Sequence, residues 1–231
     1  GDNNVAVGLC AMKLTTTGGC NVSVGRISLQ DNTTGANNVA IGASALQSNT
    51  TASDNVAIGK SALTATLTGC RNVAIGSQTL LTNTADNNVA VGFCALKTNS
   101  SGANNTAVGR FALVLNQTGA TNTAVGQNSL HSNTTASNNT AVGAGSLFAS
   151  TTGNQNTAVG KSALIANTTA NNSTAVGFSA LCTNITGADN VAVGACALFK
   201  NTAQRNVAVG MSAAICNTTG QQNTAIGYFT L

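Results

Sequence analysis

Hydrophobic and polar positions along this chain repeat neither every two residues nor every 3.6, but every seventeen. A unit opens on a short β-branched stretch, as in Asn122-Thr123-Ala124-Val125-Gly126, and then meets a small residue and a leucine at Ser129 and Leu130. An Asn-Thr-Thr-Gly or Asn-Thr-Thr-Ala turn and a polar pair close it. The glycine falls at 8, 25, 42, 59, 76, 92, 109, 126, 143, 160, 177, 194, 210 and 227, with steps of sixteen only at Gly92 and Gly210. A fixed short period marks a repeat architecture in which every unit is one supersecondary element. Thr-Ala-Val reads as a strand by its β-branched content and alternation. The glycine, the polar turn and the lack of a 3.6-residue apolar stripe argue against a helix. The expected fold is all-β: a parallel β-solenoid of fourteen coils, two short strands per coil, forming a single domain over residues 1–231.

Comparing the copies within the chain shows which positions the coil dictates. The residue before the glycine is Val or Ile in all fourteen copies, including Val125, Val142 and Val159. Four after it stands Leu in twelve, including Leu130, Leu147 and Leu164, with Met12 and Ala214 as the exceptions. These two columns are the expected core. Asparagine occupies two more: four before the glycine in thirteen of fourteen copies (Asn122, Asn139, Asn156; Ser173 departs), and seven after it in ten of thirteen. Stacked coils place identical amides one above another, so these columns are expected to form hydrogen-bonded ladders. Asparagine and glycine, here Gly126, Gly143 and Gly160, also tolerate the left-handed backbone of turns. The residue two before the glycine is Ala in thirteen copies and Ser23 in the other. With valine inside, strand alternation sends Ala124, Ala141 and Ala158 outward. Uniformly small outward residues are expected to meet another subunit.

Composition narrows the chemistry. Only 6% of residues are charged, 3% are aromatic and proline is absent. Like charges on neighbouring strands repel, and a ladder needs every strand amide. The net charge of +4 gathers into no basic run, so no nucleic-acid footprint is visible. No apolar run reaches the ~18 residues of a membrane span. The single histidine, His131, sits in a variable column, no carboxylate pair recurs, and the phosphate-loop and repeat calcium patterns are missing. Catalytic, cofactor and metal residues are therefore expected to be absent. The seven cysteines, Cys10, Cys20, Cys70, Cys94, Cys182, Cys196 and Cys216, share no common column and read as free thiols. Sequons such as Asn32, Asn49, Asn133 and Asn167 follow from the Asn-Thr-Thr turn itself. The ends show no distinct capping repeat, which reads as a segment of a longer fibre or a unit that stacks end to end.

The in-phase core Asn122, Ala124, Val125, Gly126, Ser129 and Leu130, repeated through the whole chain, resembles the YadA-like left-handed β-roll of trimeric autotransporter adhesin heads and the related repeats of phage and viral tail fibres. That resemblance implies a left-handed roll, a homotrimer around a three-fold axis, and surface attachment through a host receptor or glycan. The repeats here are longer by the Asn-Thr-Thr-Gly turn, and seven cysteines point to a fibre assembled in a reducing compartment before release. The functional expectation is a non-enzymatic structural or adhesive fibre segment, extracellular on a virion or cell surface, partnered by itself and free of nucleic acid and membrane insertion. The competing expectation is an ice-binding solenoid with threonine columns. Against it, the strand threonine is Val in eight of fourteen copies, and adjacent turn threonines such as Thr50 and Thr51 cannot share one face. A hexapeptide-repeat acyltransferase is the third class, disfavoured by apolar spacing and by the isolation of His131.

Overall fold

The computed structural model describes Gly1–Leu231 as strands and turns without a helix. Each repeat contributes one three-residue strand, and the chain divides into two compact units, Gly1–Thr118 and Gly119–Leu231. Unit 1 holds β1 (Val5–Val7), β2 (Val22–Val24), β3 (Val39–Ile41), β4 (Val56–Ile58), β5 (Val73–Ile75), β6 (Val89–Val91) and β7 (Thr106–Val108). Unit 2 holds β8 (Thr123–Val125), β9 (Thr140–Val142), β10 (Thr157–Val159), β11 (Thr174–Val176), β12 (Val191–Val193), β13 (Val207–Val209) and β14 (Thr224–Ile226). Within each unit every strand pairs in parallel with the next, alanine against alanine except at Ser23, which faces Ala6 and Ala40: Ala40 pairs with Ala57 in unit 1, Ala124 with Ala141 in unit 2. The architecture is therefore a parallel β-solenoid with one coil per repeat.

The second strand expected in each coil does not form. After Gly126 the chain makes two successive turns, with Ser129 N–H donating to Gly126 O at 3.3 Å and Asn133 N–H to Leu130 O at 3.3 Å. Asn128 and Leu130 sit at φ +57° and +48°, and left-handed residues two apart cannot lie in an extended strand. Coil-to-coil bonding continues on this side all the same, for Leu130 N–H reaches Ser146 O at 3.0 Å and Ser132 N–H reaches Phe148 O at 3.1 Å. A left-handed leucine costs about 1–2 kcal/mol. Complete burial of Leu130, Leu147 and Leu164 offsets this by about 1.5–3 kcal/mol each.

The structure corrects the assignment of inside and outside. Ala124, Ala141 and Ala158 are fully buried within their own chain, whereas Val125, Val142 and Val159 point outward and stay partly exposed, Val159 at 36%. The coil is too thin for valine: the space behind each strand already holds the leucine, the small residue before it and two asparagine columns, and only a methyl fits what remains. Ser23 shows the contact directly. It takes the alanine position, and its Oγ donates across the coil to Ser28 O at 2.9 Å. The alanine column is thus core, and no subunit contact passes through it.

Both asparagine columns are buried, and they work differently. In the first, each side chain ties its coil to the next through backbone groups. Asn122 Oδ1 accepts from Asn139 N–H at 3.0 Å, Asn139 Oδ1 accepts from Asn156 N–H at 2.9 Å, and Asn139 Nδ2 donates to Gly153 O at 2.8 Å. Longer amide-to-amide bonds add to these at Asn38–Asn21 and Asn72–Asn55, both 3.2 Å, whereas the second column makes shorter amide-to-amide ladders, such as Asn49 Nδ2 to Asn32 Oδ1 at 2.8 Å and Asn116 Nδ2 to Asn99 Oδ1 at 2.7 Å. The glycine column permits the close stacking, since a Cβ on Gly143 would stand 2.6 Å from the carbonyl carbon and oxygen of Gly160, and its φ is +133°.

The two sixteen-residue repeats lose one turn threonine and keep strand register. Val73 still pairs with Val89, and Asn83 Nδ2 reaches Ala85 O two residues on, where Asn49 reaches Ala52 O three residues on. Both ion pairs of the chain bridge these shortened repeats, Arg71–Asp86 at 3.0 Å and Arg205–Asp189 at 3.9 Å. Exposed pairs of this kind contribute about 0–1 kcal/mol.

Candidate interaction face

Because alanine turns inward, each strand presents its first and third residues to the outside. In β2–β6 these are Val22 and Val24, Val39 and Ile41, Val56 and Ile58, Val73 and Ile75, Val89 and Val91. In β8–β11 the first residue becomes Thr123, Thr140, Thr157 and Thr174, while the third remains Val125, Val142, Val159 and Val176. Strict pairing stacks these side chains in two straight rows per unit, without a charge in either row. Ile41 and Ile75 are each 38% exposed. Sequence reasoning missed these rows because it placed the larger apolar residue inside. The signal was present in the alanine column, whose uniform smallness measures the narrow interior.

The expected ladder residues are brought together as stacked columns of unit 2: Asn122, Asn139 and Asn156 by hydrogen bonds, Gly126, Gly143 and Gly160 by backbone contact, and Leu130, Leu147 and Leu164 in the core. Val125, Val142 and Val159 also stack in register, on the outer side. The turn sequons prove structural as well. Asn32, Asn49, Asn133 and Asn167 are fully buried, and each donates its Nδ2 to a turn carbonyl, so the folded coil has no room for a glycan on that nitrogen.

His131 stacks on Phe148 with ring centroids 4.8 Å apart, and its Nδ1 lies 3.4 Å from Ser132 Oγ. Burial lowers its pKa, which favours the neutral ring. All seven cysteines are free thiols. Burial pushes the Cys94 thiol up, and burial together with the neighbouring Cys196 does the same to Cys182. Thiols held protonated are poor nucleophiles. No three His, Cys, Asp or Glu side chains gather in a metal-holding group. No helix is long and apolar enough to cross a membrane. A hollow of about 340 Å³ beside the last coil is lined by Cys216, Asn217, Asn223 and Leu231. The most regular surface of the chain is the outward side of the strands. No protein-family model, curated protein or solved structure matches the chain.

Proposed function

We propose that this chain is a structural and adhesive segment of an extracellular attachment fibre, on a virion or cell surface, and that it assembles with copies of itself as a parallel homotrimer. One observation carries the reading: the paired rows of Val and Ile on the outside of β2–β6. Ten β-branched apolar side chains face away from the core there, in register and without an intervening charge. Contiguous apolar surface of this kind marks an interaction site more often than a free surface. A partner with the same seventeen-residue period matches the rows rung for rung, and a second copy has that period by construction. Thin coils bury little by themselves, so association supplies cover that the single chain lacks. A receptor or glycan would then be met by the variable residues after the glycine, such as Arg26, Lys60, Phe93 and Arg110, which are exposed and differ from coil to coil.

Light scattering on the native protein tests the reading. The parent is expected at three times the chain mass, and the double variant Ile41→Lys, Ile58→Lys at the mass of one chain, because facing lysines repel and cannot be desolvated between subunits. A monomeric parent, or a variant that keeps the parent's mass, overturns it.

A further inference from the structure

The threonines of unit 2 fall into two populations. In the turns the first threonine of each pair bonds to the backbone of the next coil, Thr134 Oγ1 to Thr151 O at 3.2 Å, Thr151 Oγ1 to Thr168 O at 3.1 Å and Thr168 Oγ1 to Ile185 O at 3.3 Å, while the second, Thr135, Thr152 or Thr169, is exposed. The strand threonines Thr123, Thr140, Thr157 and Thr174 stand on consecutive strands in strict register, and their hydroxyls take no protein partner. Beside them runs the row Val125, Val142, Val159 and Val176, which supplies methyl groups alone.

We propose that this threonine–valine face on β8–β11 binds ice. Spacing and desolvation both suit the face to it. Rungs repeat every ~4.8 Å and the two rows lie ~6.6 Å apart along the strand, a rectangular net on the scale of the oxygen repeats of hexagonal ice. Free hydroxyls at one row can each take the place of a lattice water. Methyl groups along both rows hold neighbouring water in ordered shells, so little further order is needed when the lattice grows against them. A charged group would keep its own hydration in place of the lattice, and neither row contains one. The turn threonines that counted against ice binding in the sequence lie outside the strands and are not part of this face: the first of each pair bonds to the next coil, and the second is exposed in the turn. This inference goes beyond the fibre reading and uses another part of the chain, the Val/Ile rows of unit 1 being the surface assigned there to self-association.

The test measures thermal hysteresis and the partition of fluorescently labelled protein into a growing ice hemisphere. The parent should show a hysteresis gap and enrichment in the ice. Thr140→Lys with Thr157→Lys should abolish both, and Thr140→Tyr with Thr157→Tyr should do the same without adding charge, on a strand that accepts aromatic residues. The control is Thr152→Lys with Thr169→Lys, two exposed turn positions on adjacent coils, which should match the parent. Circular dichroism melts establish that each variant is folded, and native mass is recorded in parallel. A parent excluded from ice overturns the inference whatever its mass, and if that parent is trimeric the fibre reading stands alone. An active parent whose folded strand variants remain active overturns the assignment to this face. An active parent that is monomeric supports the inference and removes the fibre reading.

Discussion

In β2–β6 both outward rows are Val and Ile, while in β8–β11 one row changes to Thr; yet the residues between those rows, Ala40 in unit 1 and Ala141 in unit 2, are equally and completely buried. The interior admits one solution because every side chain there touches its own copies above and below. The outer rows touch only each other and the surroundings, and so they can diverge without disturbing the stack. Variation between the units therefore marks where function can reside, and uniformity marks what the coil itself requires.

The largest effect should come from the glycine column, where the two units ought to respond alike. Gly143→Ala brings a Cβ to 2.6 Å from Gly160 backbone atoms, and Gly42→Ala brings one to 2.7 Å from those of Gly59, each at φ near +130°. Strained φ and overpacking together should cost roughly 3–5 kcal/mol, read as a fall in urea midpoint. Unequal losses would mean that the interiors are not equivalent. The alanine column comes next. Ala141→Gln should cost roughly 2–4 kcal/mol by overpacking and by burying an amide, while Val142→Gln, one residue on but outward, should stay within about 1 kcal/mol. A reversed order would restore valine to the core.

The asparagine column separates the units. Asn38→Ala leaves Asn55 N–H without its acceptor, but Ala52 O keeps a second donor in Asn49 Nδ2. Asn139→Ala strands Asn156 N–H, and also Gly153 O, because Ser150 stands where an asparagine would otherwise reach that carbonyl. At about 1–3 kcal/mol per buried unpaired group, the unit 2 variant should be the more destabilised of the two. Ser150 Oγ is itself buried without a partner. Ser150→Asn should therefore raise stability by about 1 kcal/mol and narrow the difference, which thermal melts of the single and double variants would show.

The smallest effect concerns His131, for which unit 1 has no counterpart. Its pKa is lowered by burial, so the unfolded chain takes up a proton at higher pH than the folded one. Stability is fully present above the ordinary histidine value of ~6.5 and declines as pH falls through it. The melting temperature should drop slightly between pH 7.5 and 5, and His131→Gln should flatten the profile. An unchanged slope would mean that the stacked ring titrates as it does in water.

The period, the coil per repeat and the parallel register were legible in the sequence, because stacking makes one local pattern recur wherever the backbone recurs. The leucine core and the importance of both asparagine columns followed from the same recurrence. Three things were decided only by the tertiary structure. Which side of Thr-Ala-Val faces inward depends on the width of the coil, and that width is set by Leu130, Ser129 and the asparagines crossing from the far side. Ala124 and Val125 are both apolar, so hydropathy could not choose between them. The second strand gave way to two turns because Asn128 and Leu130 adopt left-handed backbone, which leucine rarely does by local preference and does here because the turn delivers its side chain to the core. The separation of the threonines into backbone-bonded and free sets required knowing which hydroxyls meet a carbonyl of the next coil. Sequence records a neighbour along the chain; a neighbour seventeen residues away in the stack exists only once the coil has closed.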